Sequence, residues 1–357
     1  MTNGGFRILR VAVVIAGVVL AGGAKAQGLW QIGHPLQEMT IHAPSDVAAR
    51  RQQLSQFIWG RDTPQPAAMP ARVSPGNADN GELAPEYLGR TPATSEWLVF
   101  DLGRKLWARD YYATFPGAKC LVIVNAGHDE GFFATGYFRK PLFSKPGMDA
   151  LVRQIAAKPC DLILNSMPLQ GENRFVNRDS GVDLEMRDLH GELGRNLKPA
   201  SGSALRYFVD PALGAISYAL KSHDYELVAA VGFSGGGWTT TMLAALEPRI
   251  KRAYSVSGSV PIVFREEPAD WEQTEIPLDY LDLYAMGVDE SGRKEFQFYS
   301  EFDPCCFKLT SVTPWAEPLS RRLATFPGEF AVHVMSMGKV HDLEPAVAKF
   351  ILNDLSK

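Results

Sequence analysis

The chain has 357 residues, a formal charge of −4 at neutral pH, 46% hydrophobic residues and four cysteines. That mild acidity argues against nucleic acid or an anionic membrane surface as a partner. The length suffices for a large core within one α/β domain.

The first segment reads as a leader. Arg7 and Arg10 precede an apolar run over residues 11–23, and Ala24-Lys25-Ala26 fits the small-x-small cleavage rule, with Gln27 as the new first residue. The run is short for a membrane span, and no other segment is apolar enough to cross one. Cleavage removes Arg7, Arg10 and Lys25 and no acid, leaving 331 residues with a charge of −7. The expected product is exported without stable membrane insertion, in a bacterial periplasm or the medium, and no cysteine follows the cut to carry a lipid.

Residues 27–93 form an N-terminal extension with few strand signals. Ser45 is placed to cap a helix running to Trp59, with Gly60 as its stop, and residues 61–93, rich in Pro, Gly, Ala and Asn, read as a surface-hugging loop. The main domain is expected over residues 94–357. Residues 97–100 and 106–112 make an antiparallel hairpin around Gly103, and Pro116-Gly117 turns the chain into a buried strand, 120–125. A helix over 148–157 leads to the strand 161–165. Asp210-Pro211 reads as the start of a helix to Ser222. The strand 227–231 and helix 238–246 follow, then strands 252–257 and 295–299, a helix near 317–325, a strand over 329–336 and a closing helix over 344–355. Short, uniformly apolar strands alternating with helices predict an α/β fold with a mostly parallel central sheet covered on both faces. Two insertions, 168–205 and 261–293, emerge from the carboxyl ends of strands, where ligands bind in open α/β sheets.

Cys120 and Cys160 each stand just before an apolar strand. If those strands are parallel neighbours, the thiols lie at similar heights and can bond, whereas Cys305-Cys306 is either a vicinal disulfide or a pair of free thiols. Neither spacing resembles a zinc site.

The most informative stretch is Gly232-Phe233-Ser234-Gly235-Gly236, which sits between an apolar strand and a helix. A G-x-S-x-G turn at that junction is a nucleophile elbow: the glycines keep Cβ atoms away from a strained serine, and the Gly235 amide points at any negative charge forming there. Serine needs a base and a carboxylate to orient that base. His341, in the loop after the last strand, is the expected base. His333, within that strand, reads as a core or edge histidine. Asp303, followed by Pro304, is the preferred acid, with Glu301, Asp279 and Asp282 as alternatives. A second oxyanion amide is expected from Asn125-Ala126-Gly127-His128, at Gly127 or His128. The His128 imidazole could itself serve as a base or metal ligand, but no partner histidine stands nearby in sequence, so no metal or cofactor is expected.

These features resemble the α/β-hydrolase superfamily over roughly residues 95–357, and segments 127–131, 167–173 and 303–307 resemble a set of exported bacterial hydrolases. The resemblance implies Ser234 as nucleophile, Asp303 as acid and His341 as base, with hydrolysis through an acyl-enzyme. The oxyanion loop departs from the His-Gly-Gly-Gly form of many lipases, which leaves its second donor open. The resulting expectation is a carboxylic ester hydrolase. Export and the polar run Gln170-Gly171-Glu172-Asn173-Arg174 favour a small-molecule or saccharide ester such as an acylated sugar. A prolyl-oligopeptidase-like peptidase is the rival enzyme, though 27–93 is too short for that family's propeller. A catalytically silent binding protein is the rival from another class, and it would have no need of all three triad residues.

Overall fold

Alternation along the strands decides which side chain faces which layer. In β4 (Cys120–Asn125), Leu121 and Ile123 enter one apolar cluster, while Val122 and Val124 enter a second. This is the two-residue period of a strand covered on both sides. The structure, a computed structural model, describes residues 34–60, 69–76, 87–128, 131–133, 146–184, 186, 188–266, 269–335 and 340–357. The expected leader, 1–26, lies outside the described residues.

The sheet has nine strands in the order β1-β2-β3-β5-β4-β6-β7-β8-β9. β1 (Arg72–Pro75), β2 (Thr94–Gly103) and β3 (Leu106–Thr114) are antiparallel to their neighbours. β4, β5 (Cys160–Asn165), β6 (Leu227–Phe233), β7 (Arg252–Val256), β8 (Lys294–Ser300) and β9 (Glu329–Met335) run parallel. The expected α/β class with a mostly parallel sheet is therefore the observed one. In the same element order, the helices are α1 (Val47–Trp59), α2 (Pro146–Ala156), α3 (Gly171–Val176), α4 (Leu189–Asn196), α5 (Arg206–Ser222), α6 (Gly235–Leu246), α7 (Trp271–Thr274), α8 (Tyr280–Met286), α9 (Leu309–Leu323) and α10 (Pro345–Asp354). α1, α5, α6, α8 and α9 cover one face, and α2 and α10 the other. Each fully buried Leu, Ile or Phe in these layers contributes about 1.5–3 kcal/mol.

Several local expectations need correction. Ser45 does not cap α1. A 3-10 turn, Pro44–Asp46, precedes that helix, and the Asp46 carboxylate takes the His42 and Ala43 amides at 2.9 Å each. The extension carries a strand, β1, on the sheet edge, where Pro75 costs no ladder bond. α5 begins at Arg206, not at Asp210, whose carboxylate instead holds Arg206 and the Trp59 indole. α9 begins at Leu309 rather than near Glu317, and it contains Pro314 and Pro318. Trp315, Leu319 and Leu323 are buried along its inner face, and that burial outweighs the lost backbone bonds.

The described part of the extension is bound to the main domain. Arg51 donates to the Ala245 and Met286 carbonyls and pairs with Asp289, and Asp282 accepts the Thr40 and Ile41 amides. Both cysteine pairs are bonded. Cys120 and Cys160 are opposed in the β4–β5 register, and Cys305 is linked to Cys306.

Candidate active site

The elbow is built by close approach. Ser234 follows β6 with φ +55° and ψ −125°, a strained backbone for a residue with a side chain. Its N–H donates to the Val256 carbonyl at 2.9 Å, and its own carbonyl accepts the Trp238 N–H at 3.1 Å, the first turn of α6. A Cβ on Gly232 would lie 2.1 Å from the Gly236 carbonyl oxygen, and one on Gly236 would lie 2.0 Å from that of Asn125. Only glycine fits either place. The amides of Gly235 and Gly236 open α6, where a helix has no internal acceptors for them.

His341 comes from the segment between β9 and α10. Its Nε2 is 3.0 Å from Ser234 Oγ, and its Nδ1 is 2.8 and 3.1 Å from the two oxygens of Asp303. With a carboxylate at Nδ1, that nitrogen carries the proton and donates, leaving Nε2 to accept from the serine hydroxyl. The ring lies against Phe233, with centroids 4.6 Å apart. Asp303, just past β8, also accepts from the Cys305 N–H at 2.8 Å and the Ser257 hydroxyl at 3.2 Å. Burial pushes its carboxyl up, but the hydrogen bond and charge of His341, with these further donors, outweigh that and hold it below the ordinary value.

The other acid candidates have different partners. Asp279 caps α8 through the Leu281 N–H, Asp282 holds the extension, and the Glu301 amide continues the pairing toward Met335. His333 is on β9, stacked on Phe298 with centroids 5.0 Å apart. Burial lowers its pKa.

The loop after β4 runs against the elbow, since Gly236 meets the backbone of Asn125 and Ala126. Gly127 and His128 come next in the chain. The His128 ring fills the space a side chain at Gly235 would take. A Cβ there would lie 2.6 Å from His128 Nδ1 and 2.6 Å from Met167 Sδ. On its other side, His128 Nε2 is 2.9 Å from Glu272 Oε1. His128, His190 and Glu272 form the group of metal-ligating side chains that comes together among the described residues.

The run 170–174 is not the polar lining expected from sequence. Glu172 is buried and accepts the Phe132 and Phe133 amides at 2.8 and 2.6 Å, together with the Ser166 hydroxyl. Asn173 is buried and bonds the Arg109 amide and the Ser166 and Met167 carbonyls. These side chains fix backbone around the site. Asp342 does the same for the His341 segment by accepting the Gly147 N–H at the start of α2. Neither backbone-holding role, of Glu172 or of Asp342, carried a sequence signal, because the partners are backbone groups of distant segments.

No family model matches the chain, and no curated protein matches it. Solved structures do. Acetyl Xylan Esterase 1 from Thermoanaerobacterium sp. JW/SL YS485 aligns with a TM-score of 0.54 at 14% identity, over 88% of this chain and 94% of that one. The methylesterase BT1017 aligns with a TM-score of 0.54 at 14% identity, over 87% of this chain and 61% of that one. Strand order, elbow and these likenesses agree, and the fold of this chain is that of the α/β-hydrolases.

Proposed function

We propose that this protein is a serine hydrolase that cleaves carboxylic esters through an acyl-enzyme on Ser234. The observation that carries the reading is the unbroken chain from Ser234 Oγ through His341 to a buried Asp303, with contacts of 3.0 and 2.8 Å. In this reading Ser234 Oγ attacks the ester carbonyl carbon as its proton passes to His341 Nε2. Asp303 stabilises the resulting imidazolium. The carbonyl oxygen becomes an oxyanion, accepting from the Gly235 amide and from Gly127 or His128. Collapse expels the alcohol, which takes its proton from His341. Water then repeats the sequence on the acyl-serine and releases the acid. None of these steps calls on a cofactor.

The exported setting is part of the proposal. Two disulfides suit an oxidising compartment, and among the described residues no helix is long and apolar enough to cross a membrane. A small-molecule or saccharide ester, such as an acylated sugar, is the proposed substrate class. It rests on that setting, since the 170–174 run is occupied internally.

The test uses one preparation. A fluorophosphonate probe should add its mass to wild-type protein and not to Ser234→Ala, and a panel of short esters should be turned over in preference to peptide amides. Wild-type protein that takes no label and hydrolyses no ester would overturn the reading, and preference for amides would favour the peptidase. N-terminal sequencing of exported material should begin at Gln27; a sequence still containing Val11 would overturn cleavage.

A further inference from the structure

Beside the elbow, three segments far apart in sequence bring together two imidazoles and a carboxylate. His128 follows β4, His190 lies on α4, and Glu272 lies on α7, so each insertion supplies one member. Glu272 is 0% exposed and His190 5%. Glu272 Oε1 is 2.9 Å from His128 Nε2, and Oε2 is 3.2 Å from His190 Nδ1. The carboxylate of Asp270, half exposed, lies 3.9 Å from the same His128 nitrogen.

Two features of this cluster suit a cation at its centre. The first is Glu272 itself. Among the described residues its ion pairs are to the two imidazoles, with no ammonium or guanidinium, and a buried carboxylate is costly unless paired.

The second feature is the far side of His190. Its Nε2 is 3.3 Å from the Pro168 carbonyl and 3.2 Å from the Gln170 amide nitrogen, so either neutral tautomer finds a partner there. With the proton on Nε2, Nδ1 presents a lone pair toward Glu272, in the position of a metal ligand.

We propose that His128, His190 and Glu272 bind a divalent transition-metal ion of the zinc class, with Asp270 as the fourth side chain. The donor atoms of the first three already lie within 4.8 Å of one another. Metal–ligand bonds of about 2.0–2.1 Å in tetrahedral geometry place neighbouring donors about 3.3 Å apart. Binding therefore draws the two rings inward while leaving the Glu272 contacts near their present lengths. Two imidazole nitrogens with carboxylate oxygens suit zinc or its neighbours, whereas calcium and magnesium take oxygen alone. The Pro168 carbonyl on the far nitrogen of His190 is the outer partner that orients a ligating histidine. Such an ion would join both insertions to the loop after β4 and fix the His128 ring on Gly235. This proposal is independent of the hydrolase reading, because it concerns binding alone.

The experiment is a calorimetric titration of the full chain with zinc chloride after chelator treatment and desalting. Wild type and Ser234→Ala should each take up one equivalent, and His190→Asn and Glu272→Gln should bind at least about tenfold more weakly. Cobalt chloride on wild type gives a readout that needs no variant to fold, since a four-coordinate N/O site turns on intense visible absorption. Absence of saturable one-equivalent uptake, a cobalt spectrum identical to that of the solvated ion, or unchanged affinity in His190→Asn would overturn the proposal. The first two results would assign the cluster to imidazoles hydrogen-bonded to a buried carboxylate.

Discussion

The Asp342 carboxylate accepts the Gly147 N–H at 3.1 Å, so the residue next to His341 is tied to the first turn of a helix 195 positions earlier in the chain. A carboxylate there also meets the positive end of α2. The neighbouring backbone is tightly fitted as well, since a Cβ on Gly147 would lie 1.9 Å from the Leu343 carbonyl oxygen. Asp342→Ala should leave the fold intact and reduce ester turnover about tenfold, because a slightly displaced imidazole loses the 3.0 Å contact to Ser234. Turnover and circular dichroism on one preparation check this. Full activity in the variant would show that the tie is dispensable.

The orienting carboxylate is tested by a pair of variants. Asp303→Asn keeps the shape of the contact to His341 but favours the wrong ring tautomer, a change that costs about 10⁴ in turnover in a serine protease. Glu301→Gln should cost less than about threefold, the small effect expected of a side chain outside such a contact. A severe loss in Glu301→Gln with a mild one in Asp303→Asn would reverse the assignment.

Gly235 offers a probe of the space above the elbow. Gly235→Ala would put a methyl 2.6 Å from both His128 Nδ1 and Met167 Sδ, so the ring or the thioether must move. The expected outcome is a turnover loss of about 10–100-fold with KM changed much less, since the adjacent amide acts on charge present only in the transition state. Steady-state kinetics on one short ester decides it. A rise in KM alone would place the methyl in a substrate subsite.

Asp279 makes a stability prediction with a defined sign. Burial pushes its carboxyl up to about 6, with help from Asp282 and Glu38 and against the Leu281 N–H. A carboxyl whose folded value exceeds its unfolded one of about 3.9 favours the fold while protonated, so stability declines as pH rises from about 4 through about 6. Asp279→Asn can still cap α8 and removes the charge. It should stabilise the protein at pH 7 by on the order of 1–2 kcal/mol, after discounting for partial exposure, and change little at pH 4. Urea melts at the two pH values measure this. Equal stabilities at pH 7 would show that the carboxyl is not strained there.

What the sequence made legible was local or strictly periodic. The elbow could be read because its strand, glycines and helix are contiguous, and its close contacts leave few other residues possible. The opposition of Cys120 and Cys160 could be read because parallel neighbours with matching apolar runs share a register. The order of serine, acid and histidine placed Asp303 and His341 in loops that the structure brings to Ser234. Other features depend on tertiary context. The expected helix begins near Glu317, yet burial of Trp315 and Leu319 lets α9 run from Leu309 through Pro314 and Pro318. Gln170, Glu172 and Asn173 read as a polar surface because nothing local shows that Glu172 and Asn173 bond backbone groups and that Gln170 meets the His190 ring. His128 lacked a partner in sequence because His190 and Glu272 stand 62 and 144 positions away.

The bond between Cys120 and Cys160 lies at the amino ends of β4 and β5, while the loop that carries Gly127 leaves the carboxyl end of β4. A slip of one residue between these strands would move that loop about 3.3 Å along the sheet. It would also turn every β4 side chain to the opposite face and part the two sulfurs. The covalent link therefore acts as a register pin, felt a full strand length away. By holding β4 at one height against β5, it keeps Asn125 level with Asn165. That alignment fixes where the following loop leaves the sheet, with the Ala126 N–H donating to the Asn165 carbonyl at 2.9 Å.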